Sequence, residues 1–258
     1  TINQKANPVD LVTEIDQGIE MLFRIWITTF FPEDRIIGEE GHPPEINNQD
    51  TLWIIDPIDG TSNYTQNKKE VACLIACLKK GIPYISCVGL PYYHTIYSTH
   101  QNTNDVTKQT KAKFETVKKP ELLNTLPLGT EFLRIRQNEY TLFEKFEKDL
   151  KLQKNQRCSI GVNLIDLLEG RCQAFYKPKI KIWDMIAPLI CLEKLFKNQL
   201  TIEVFTEKQS FNPFEEPKEL LNQIKASKEN LFRIGNLIIT HDDAKKLHRH
   251  LKQGILSL

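Results

Sequence analysis

The sequence has no surplus of either charge: 34 Lys and Arg stand against 33 Asp and Glu, a formal net charge of +1. That balance leaves no electrostatic footprint for nucleic acid. No apolar run approaches the length of a membrane span, and nothing resembles a signal peptide. No internal repeat and no low-complexity tract is visible. The six cysteines, at positions 73, 77, 87, 158, 172 and 191, lack metal-type pairing. Cys73 and Cys77 sit in an apolar, strand-like run where reduced buried thiols are the default, so a cytoplasmic location is expected. Lysines crowding positions 108 to 119 read as a solvated loop. What remains is a chain of 258 residues, 40% apolar, able to bury a sizeable core as one large domain or two tightly joined lobes.

The densest chemistry lies in Trp53-Ile54-Ile55-Asp56-Pro57-Ile58-Asp59-Gly60-Thr61-Ser62-Asn63-Tyr64. Leu52 to Ile55 reads as a short buried strand that delivers two carboxylates three residues apart, after which proline and glycine turn the chain. Carboxylate oxygens suit hard divalent cations such as Mg²⁺. With Pro57 fixing one φ angle, Asp56 and Asp59 can converge on one small volume and the Ile58 carbonyl can turn inward. Gly60 lets backbone N–H groups approach an anion, with the Thr61 hydroxyl beside them. Taken alone, the segment reads equally well as a strand-to-loop turn capped by aspartates.

Three further segments follow an order of their own: Pro8-Val9-Asp10-Leu11-Val12-Thr13-Glu14-Ile15-Asp16, then Ile36-Ile37-Gly38-Glu39-Glu40, and far downstream Ile182-Trp183-Asp184-Met185-Ile186-Ala187-Pro188-Leu189-Ile190. With the first stretch they resemble the inositol-monophosphatase family of metal-dependent, lithium-sensitive phosphatases. That family's pattern is D-x-V-T-x-x-D, G-E-E, W-x-x-D-P-[IL]-D-G-T-x-N-[FY] and W-D-x-A-A. The resemblance spans positions 8 to about 190, with weaker matching beyond.

The resemblance implies an α/β fold, a layered αβαβα sandwich, and hydrolysis of a small phosphorylated polyol or sugar with two or three Mg²⁺ ions. Glu39, Asp56 and the Ile58 carbonyl would hold the first ion, and Asp56, Asp59 and Asp184 the second. Such ions lower the pKa of water and stabilise a leaving oxygen. Thr61 and Asp16 resemble the pair that orients the attacking water, and Glu39 counts among the catalytic groups. Gly60, Thr61, Ser62, Ser159, Lys177 and Asp184 are the substrate-facing candidates. Asp184 also reads as a helix N-cap, Asp16 as a solvated position on an amphipathic helix, and Glu40 as a supporting or an exposed group. Relatives are homodimers, which sets the same expectation here; the runs Val71 to Leu78 and Tyr84 to Leu90 offer apolar surface for it.

The chain departs from the family around the polyol. Cys158-Ser159-Ile160 stands where the family has Gly-[ST]-Ala, and Gln173-Ala174-Phe175-Tyr176-Lys177 where it has D-x-Y-[YF]-E. Lys177 thus replaces a polyol-contacting glutamate, which favours either an extra anionic group on the substrate or a solvent contact. A bisphosphate phosphatase, acting on fructose 1,6-bisphosphate or adenosine 3′,5′-bisphosphate, is one rival reading; a weakly active relative that binds a ligand or partner is another. The chain starts at Thr1, seven residues before the first motif, where the family places a whole helix, so fragmentary coverage is expected.

Periodicity places helices at Asp10 to Phe31, Leu142 to Leu152, Gly161 to Glu169, Met185 to Phe196, Pro217 to Ala226 and His241 to Leu251. Strands are expected at Arg35 to Glu39, Leu52 to Asp56, Val71 to Leu78, Tyr84 to Leu90, His94 to Thr99, Cys172 to Tyr176, Leu200 to Phe205 and Leu231 to Ile234. Gln101 to Pro120 reads as an irregular excursion. One domain over 1–258 is expected, with lobes at about 1–135 and 136–258.

Overall fold

Three apolar runs form the centre of a seven-stranded sheet. A computed structural model describes residues 2–4, 11–42, 44–120, 128–130, 154–197, 199–206, 209–227, 233–241, 248–249 and 252–253. In it, β1 (Ile2–Gln4) and β2 (Leu11–Thr13) make a small antiparallel pair. The large sheet then runs in order through β3 (Arg35–Gly38), β4 (Thr51–Asp59), β5 (Ala72–Lys79), β6 (Ile82–Leu90), β7 (Thr95–His100), β8 (Thr107–Gln109) and β9 (Phe114–Thr116). Only β3 and β4 are parallel in this sheet. The short loops between successive strands make antiparallel pairing the natural outcome.

A second, six-stranded sheet uses β10 (Leu128–Thr130), β11 (Lys154–Asn155), β12 (Ala174–Lys181), β13 (Leu200–Phe205), β14 (Ser210–Phe211) and β15 (Arg233–His241), in the order β11-β10-β12-β15-β13-β14. Between the sheets lie α3 (Ile160–Leu168) and α4 (Ile182–Phe196), whose all-round apolar surfaces suit a helix buried on every side. One continuous core joins them: Leu52, Ile54, Leu74 and Leu78 from the first sheet, Leu164, Met185 and Leu189 from the helices, and Phe175, Ile202 and Leu237 from the second. The opposite face of the first sheet is covered by α1 (Glu14–Phe30), where Ile27 packs with Ile36, Trp53, Ile55 and Cys77. On the far face of the second sheet, His248 bridges Thr240 and Glu203, and Lys252 pairs with Glu203. Helical residues 248–249 and 252–253 therefore supply the outermost of five αβαβα layers. A short helix, α2 (Thr61–Thr65), follows β4, and α5 (Pro217–Ala226) closes the core through Leu220, Leu221 and Ile224.

Several boundaries move. Leu11–Thr13, expected as the start of the first helix, is strand, because its backbone pairs with residues 2–4. Within the expected irregular stretch 101–120, β8 and β9 extend the sheet out to its edge; the segment is polar because much of it faces solvent, and Val106, with the partly buried Val117, anchors it to the core. The strand expected at Cys172 to Tyr176 runs Ala174–Lys181, continuing through Pro178 by a break in the ladder with β15. The strand expected at Leu231 to Ile234 runs Arg233–His241, which takes His241 from the expected final helix. The helix expected at Leu142 to Leu152 lies outside the described residues. Most of the hairpin's apolar side chains pack into the chain's own core, Ile82 staying exposed, and a larger group of exposed ones lies on α1 at Met21, Leu22, Ile25, Trp26 and Phe30.

Candidate active site

β4 carries the first carboxylates, and its ladder explains why they share a face. Asp56 pairs with Leu74 and Asp59 with Ala72, so three steps along β4 match two along β5. Pro57 brings no N–H to the ladder, and the extra residue forms a bulge. Side chains alternate along a strand, so without the bulge Asp56 and Asp59 would point to opposite faces. With it, Asp59 swings to the inner side, where Oδ2 accepts the Ser159 hydroxyl at 2.5 Å and the Gly161 N–H at 2.6 Å, and Oδ1 accepts the Ile160 N–H at 3.0 Å. Ser159 also caps α3, its Oγ accepting the Val162 N–H at 3.2 Å.

Parallel pairing of Gly38 with Ile55 places Glu39 beside Asp56 from the neighbouring strand. The third arm is Asp184. The cap residue of α4 is Lys181, without a side-chain cap bond, so Asp184 sits inside the first turn and is not the N-cap. Glu39, Asp56 and Asp184 each bring a carboxylate oxygen within 4.8 Å of the others. Asp59 is not in that trio, yet it is coupled to it: burial and then the Asp184 charge push its carboxyl up to about 7 against the pull of its three hydrogen bonds. Asp56, 1% exposed, is held well above the usual carboxylate range, first by burial and then by Glu39, Asp59 and Asp184.

Among the described residues, the buried Asp56 Oδ1 has no hydrogen-bond partner. A buried, orphaned oxygen ringed by like charge is unfavourable unless a cation completes it. Oxygen ligands of this kind suit a hard divalent cation, so the residues present fit Mg²⁺.

The remaining candidates divide. The Thr61 hydroxyl donates to the Ile58 carbonyl at 3.0 Å, uniting two of them. Gly60 has φ 92°, a left-handed conformation that lets the chain turn directly from β4 into α2 and carries Ser62 beside Thr61. Asp16 is 2% exposed, which removes its reading as a solvated helix position. Lys177 is 8% exposed, so it is not a free surface contact. Glu40 is half-buried.

Three residues escaped the sequence reading. Glu20 on α1 holds the Glu40 backbone N–H. Asn63 Nδ2 donates to the Glu70 and Arg157 carbonyls, both at 2.7 Å, tying α2 to the loop before Ser159. Lys181 reaches Glu39 Oε1 at 2.7 Å. Asn63 stood inside a quoted motif without a role; a lysine three positions before Asp184 was the available signal for Lys181.

Comparison with known proteins places this architecture. The model of the inositol monophosphatase family matches residues 1–195. An inositol-1-monophosphatase of Bacillus subtilis (strain 168) is 29% identical over 207 residues, covering 79% of this chain and 77% of that protein. An IMPase/NADP phosphatase structure with Mg²⁺ and phosphate superposes with a TM-score of 0.72 at 19% identity, covering 94% of this chain and 82% of the other. A Staphylococcal inositol monophosphatase-1 soaked in LiCl gives 0.71 at 19%, covering 94% and 81%. The chain belongs to the inositol monophosphatase family.

Proposed function

We propose that this protein is a Mg²⁺-dependent phosphatase for a small phosphorylated polyol or sugar. Membership of the family makes it an enzyme, a phosphoric monoester hydrolase. The observation that carries the metal reading is the convergence of Glu39, Asp56 and Asp184 around the orphaned Asp56 Oδ1. Glu39, Asp56, Asp59, Asp184 and the Ile58 carbonyl are the proposed ligands of two or three ions. Bound there, Mg²⁺ supplies an activated water and charge stabilisation of the leaving oxygen.

The chain's own groups do the rest. Asp16 and Thr61 orient the water, and Glu39 directs it toward phosphorus. Gly60, Thr61 and Ser62 offer backbone and hydroxyl donors to the phosphoryl oxygens. Ser159 holds Asp59 and edges the substrate pocket. We place the whole activity in one domain, a lobe near 1–135 against a lobe near 136–258, acting in the cytoplasm as a homodimer. The six cysteines, none of them in a disulfide among the described residues, support the compartment, and the exposed apolar face of α1 supports the assembly. Among the described residues, no helix is long and apolar enough to cross a membrane.

A second reading, that the substrate carries an additional anionic group, is favoured by the buried Lys177. The purified chain, assayed with Mg²⁺ against inositol 1-phosphate, fructose 1,6-bisphosphate, adenosine 3′,5′-bisphosphate and an aryl phosphate, tests both. Phosphate release that is lost with a chelator and in Asp56→Asn supports the proposal. No Mg²⁺-dependent release from any of them overturns it.

A further inference from the structure

Lys181 sits where the charge of the site is decided. It is the cap residue of α4, three positions before Asp184, yet its side chain makes no cap bond. Its ammonium instead reaches Glu39 Oε1 at 2.7 Å, from β12 to the end of β3, across 142 positions of sequence. The two side chains are only 12% and 16% exposed, and the ammonium lies 5.1 Å from the centre of the Trp183 ring. A lysine shielded from water beside an aromatic face and a carboxylate is a stable counter-charge.

The surrounding groups make that counter-charge consequential. Glu39, Asp56 and Asp184 converge, Asp59 adds its charge beside them, and Lys181 opposes the resulting repulsion at Asp56. A divalent cation drawn to the same cluster needs the Glu39 carboxylate that the ammonium engages. Lysine suits such an exchange, being a point charge on a flexible four-carbon stem.

We propose that Lys181 is a built-in counter-cation that competes with the divalent ion for Glu39 and so sets the metal affinity of the site. The inference rests on the metal reading above. Without metal, the ammonium keeps the clustered carboxylates together. With metal, Glu39 is released to the ion and Lys181 withdraws. The residue thus raises the free Mg²⁺ needed to load the site while holding the ligands in place beforehand.

Isothermal titration of Mg²⁺ and Mn²⁺ into the full chain tests this without any turnover. Lys181→Met, similar in length but uncharged, is expected to bind the first ion about tenfold more tightly, because the ion no longer has to displace a competing cation from Glu39. Its metal-free melting temperature is expected to fall below wild type, and saturating Mg²⁺ to close that gap. Lys181→Arg retains the charge and is expected to keep the weaker, wild-type affinity. A Lys181→Met affinity equal to or weaker than wild type overturns the role, even if the variant is fully folded. Wild-type protein that binds neither ion overturns the metal reading itself, and the proposal with it.

Discussion

Glu20, buried on α1, accepts the backbone N–H of Glu40 at 2.8 Å through Oε2, while Oε1 takes Arg24 Nε at 2.8 Å. A Cβ at Gly38 would fall 2.3 Å from the Glu20 carboxylate, so the turn after β3 closes directly onto α1. The helix on one side of the sheet thereby sets the position of Glu39 on the other.

Glu20→Ala should lower stability by about 1.5–3 kcal/mol, the worth of hydrogen bonds to a buried charge. It should also raise the Mg²⁺ concentration for half-activation more than the KM for an aryl phosphate. Glu20→Gln keeps an acceptor for the Glu40 N–H and should recover most of the Mg²⁺ dependence. Parallel Mg²⁺ and substrate titrations check this; an unchanged Mg²⁺ response in Glu20→Ala would show that the clamp is merely structural.

Cys158 has φ 56°, a left-handed conformation that costs a residue with a Cβ about 1–2 kcal/mol. The family places glycine there. Cys158→Gly should relieve the strain, less about 0.4–1 kcal/mol for the freer unfolded chain. A rise in melting temperature of about 2–4 °C is expected by calorimetry, and a fall would show that the thiol's packing outweighs the strain.

Glu203 links the outermost layer to the second sheet. Burial alone would raise its carboxyl, but hydrogen bonds from His248, Ser210 and Lys252 outweigh that and bring it down to about 2. A carboxylate with a depressed folded pKa binds fewer protons folded than unfolded, so its contribution is present above its ordinary value near 4.5 and is lost as pH falls toward 2. Glu203→Gln should therefore destabilise the protein at pH 7 and matter progressively less in acid. Denaturation curves across that range decide it; an equal penalty at every pH would rule out the charge as the cause.

Lithium should inhibit Mg²⁺-supported turnover in the millimolar range, with phosphate release as the blocked step. Product-burst kinetics with and without Li⁺ measure this, and indifference to the ion would point to an altered second metal position.

If a second anionic group reaches Lys177, then Lys177→Met and Lys177→Glu should both cost about 1.5–3 kcal/mol in kcat/KM for the preferred substrate. An aryl phosphate should be hydrolysed nearly as before. A wild-type preference for inositol 1-phosphate over every bisphosphate would make Lys177 a bystander.

The charge centre was legible because four short motifs follow one another in a fixed order. Asp56 and Asp59 alone read equally well as turn caps, and Asp184 alone as a helix N-cap; Glu39 after an apolar strand and the order of all four resolve them. Lys181 was not legible in this way, since its partner lies 142 positions away and nothing near it names that partner. Strand β2 was hidden because Leu11–Thr13 continues a helical stripe, and only pairing with residues 2–4 overrides it. Strands β8 and β9 were hidden because each is only three residues long and partly open to water, β9 forming the edge, so neither needs apolar alternation. The helices α3, α4 and α5 were easier, as their apolar faces repeat over several turns.

The bulge in β4 makes the spacing of Asp56 and Asp59 a matter of parity. At the present three-step spacing, loss of the bulge alone would restore ordinary alternation and send Asp59 to the face covered by α1, away from Asp184. One residue more would have to be absorbed by a strand already held on both sides by β3 and β5. Positions 57 and 58 thus carry the extra step on which the shared face depends, and a further insertion there is closed. In this enzyme, heredity of the site is carried by the count of residues along one strand as much as by their identity.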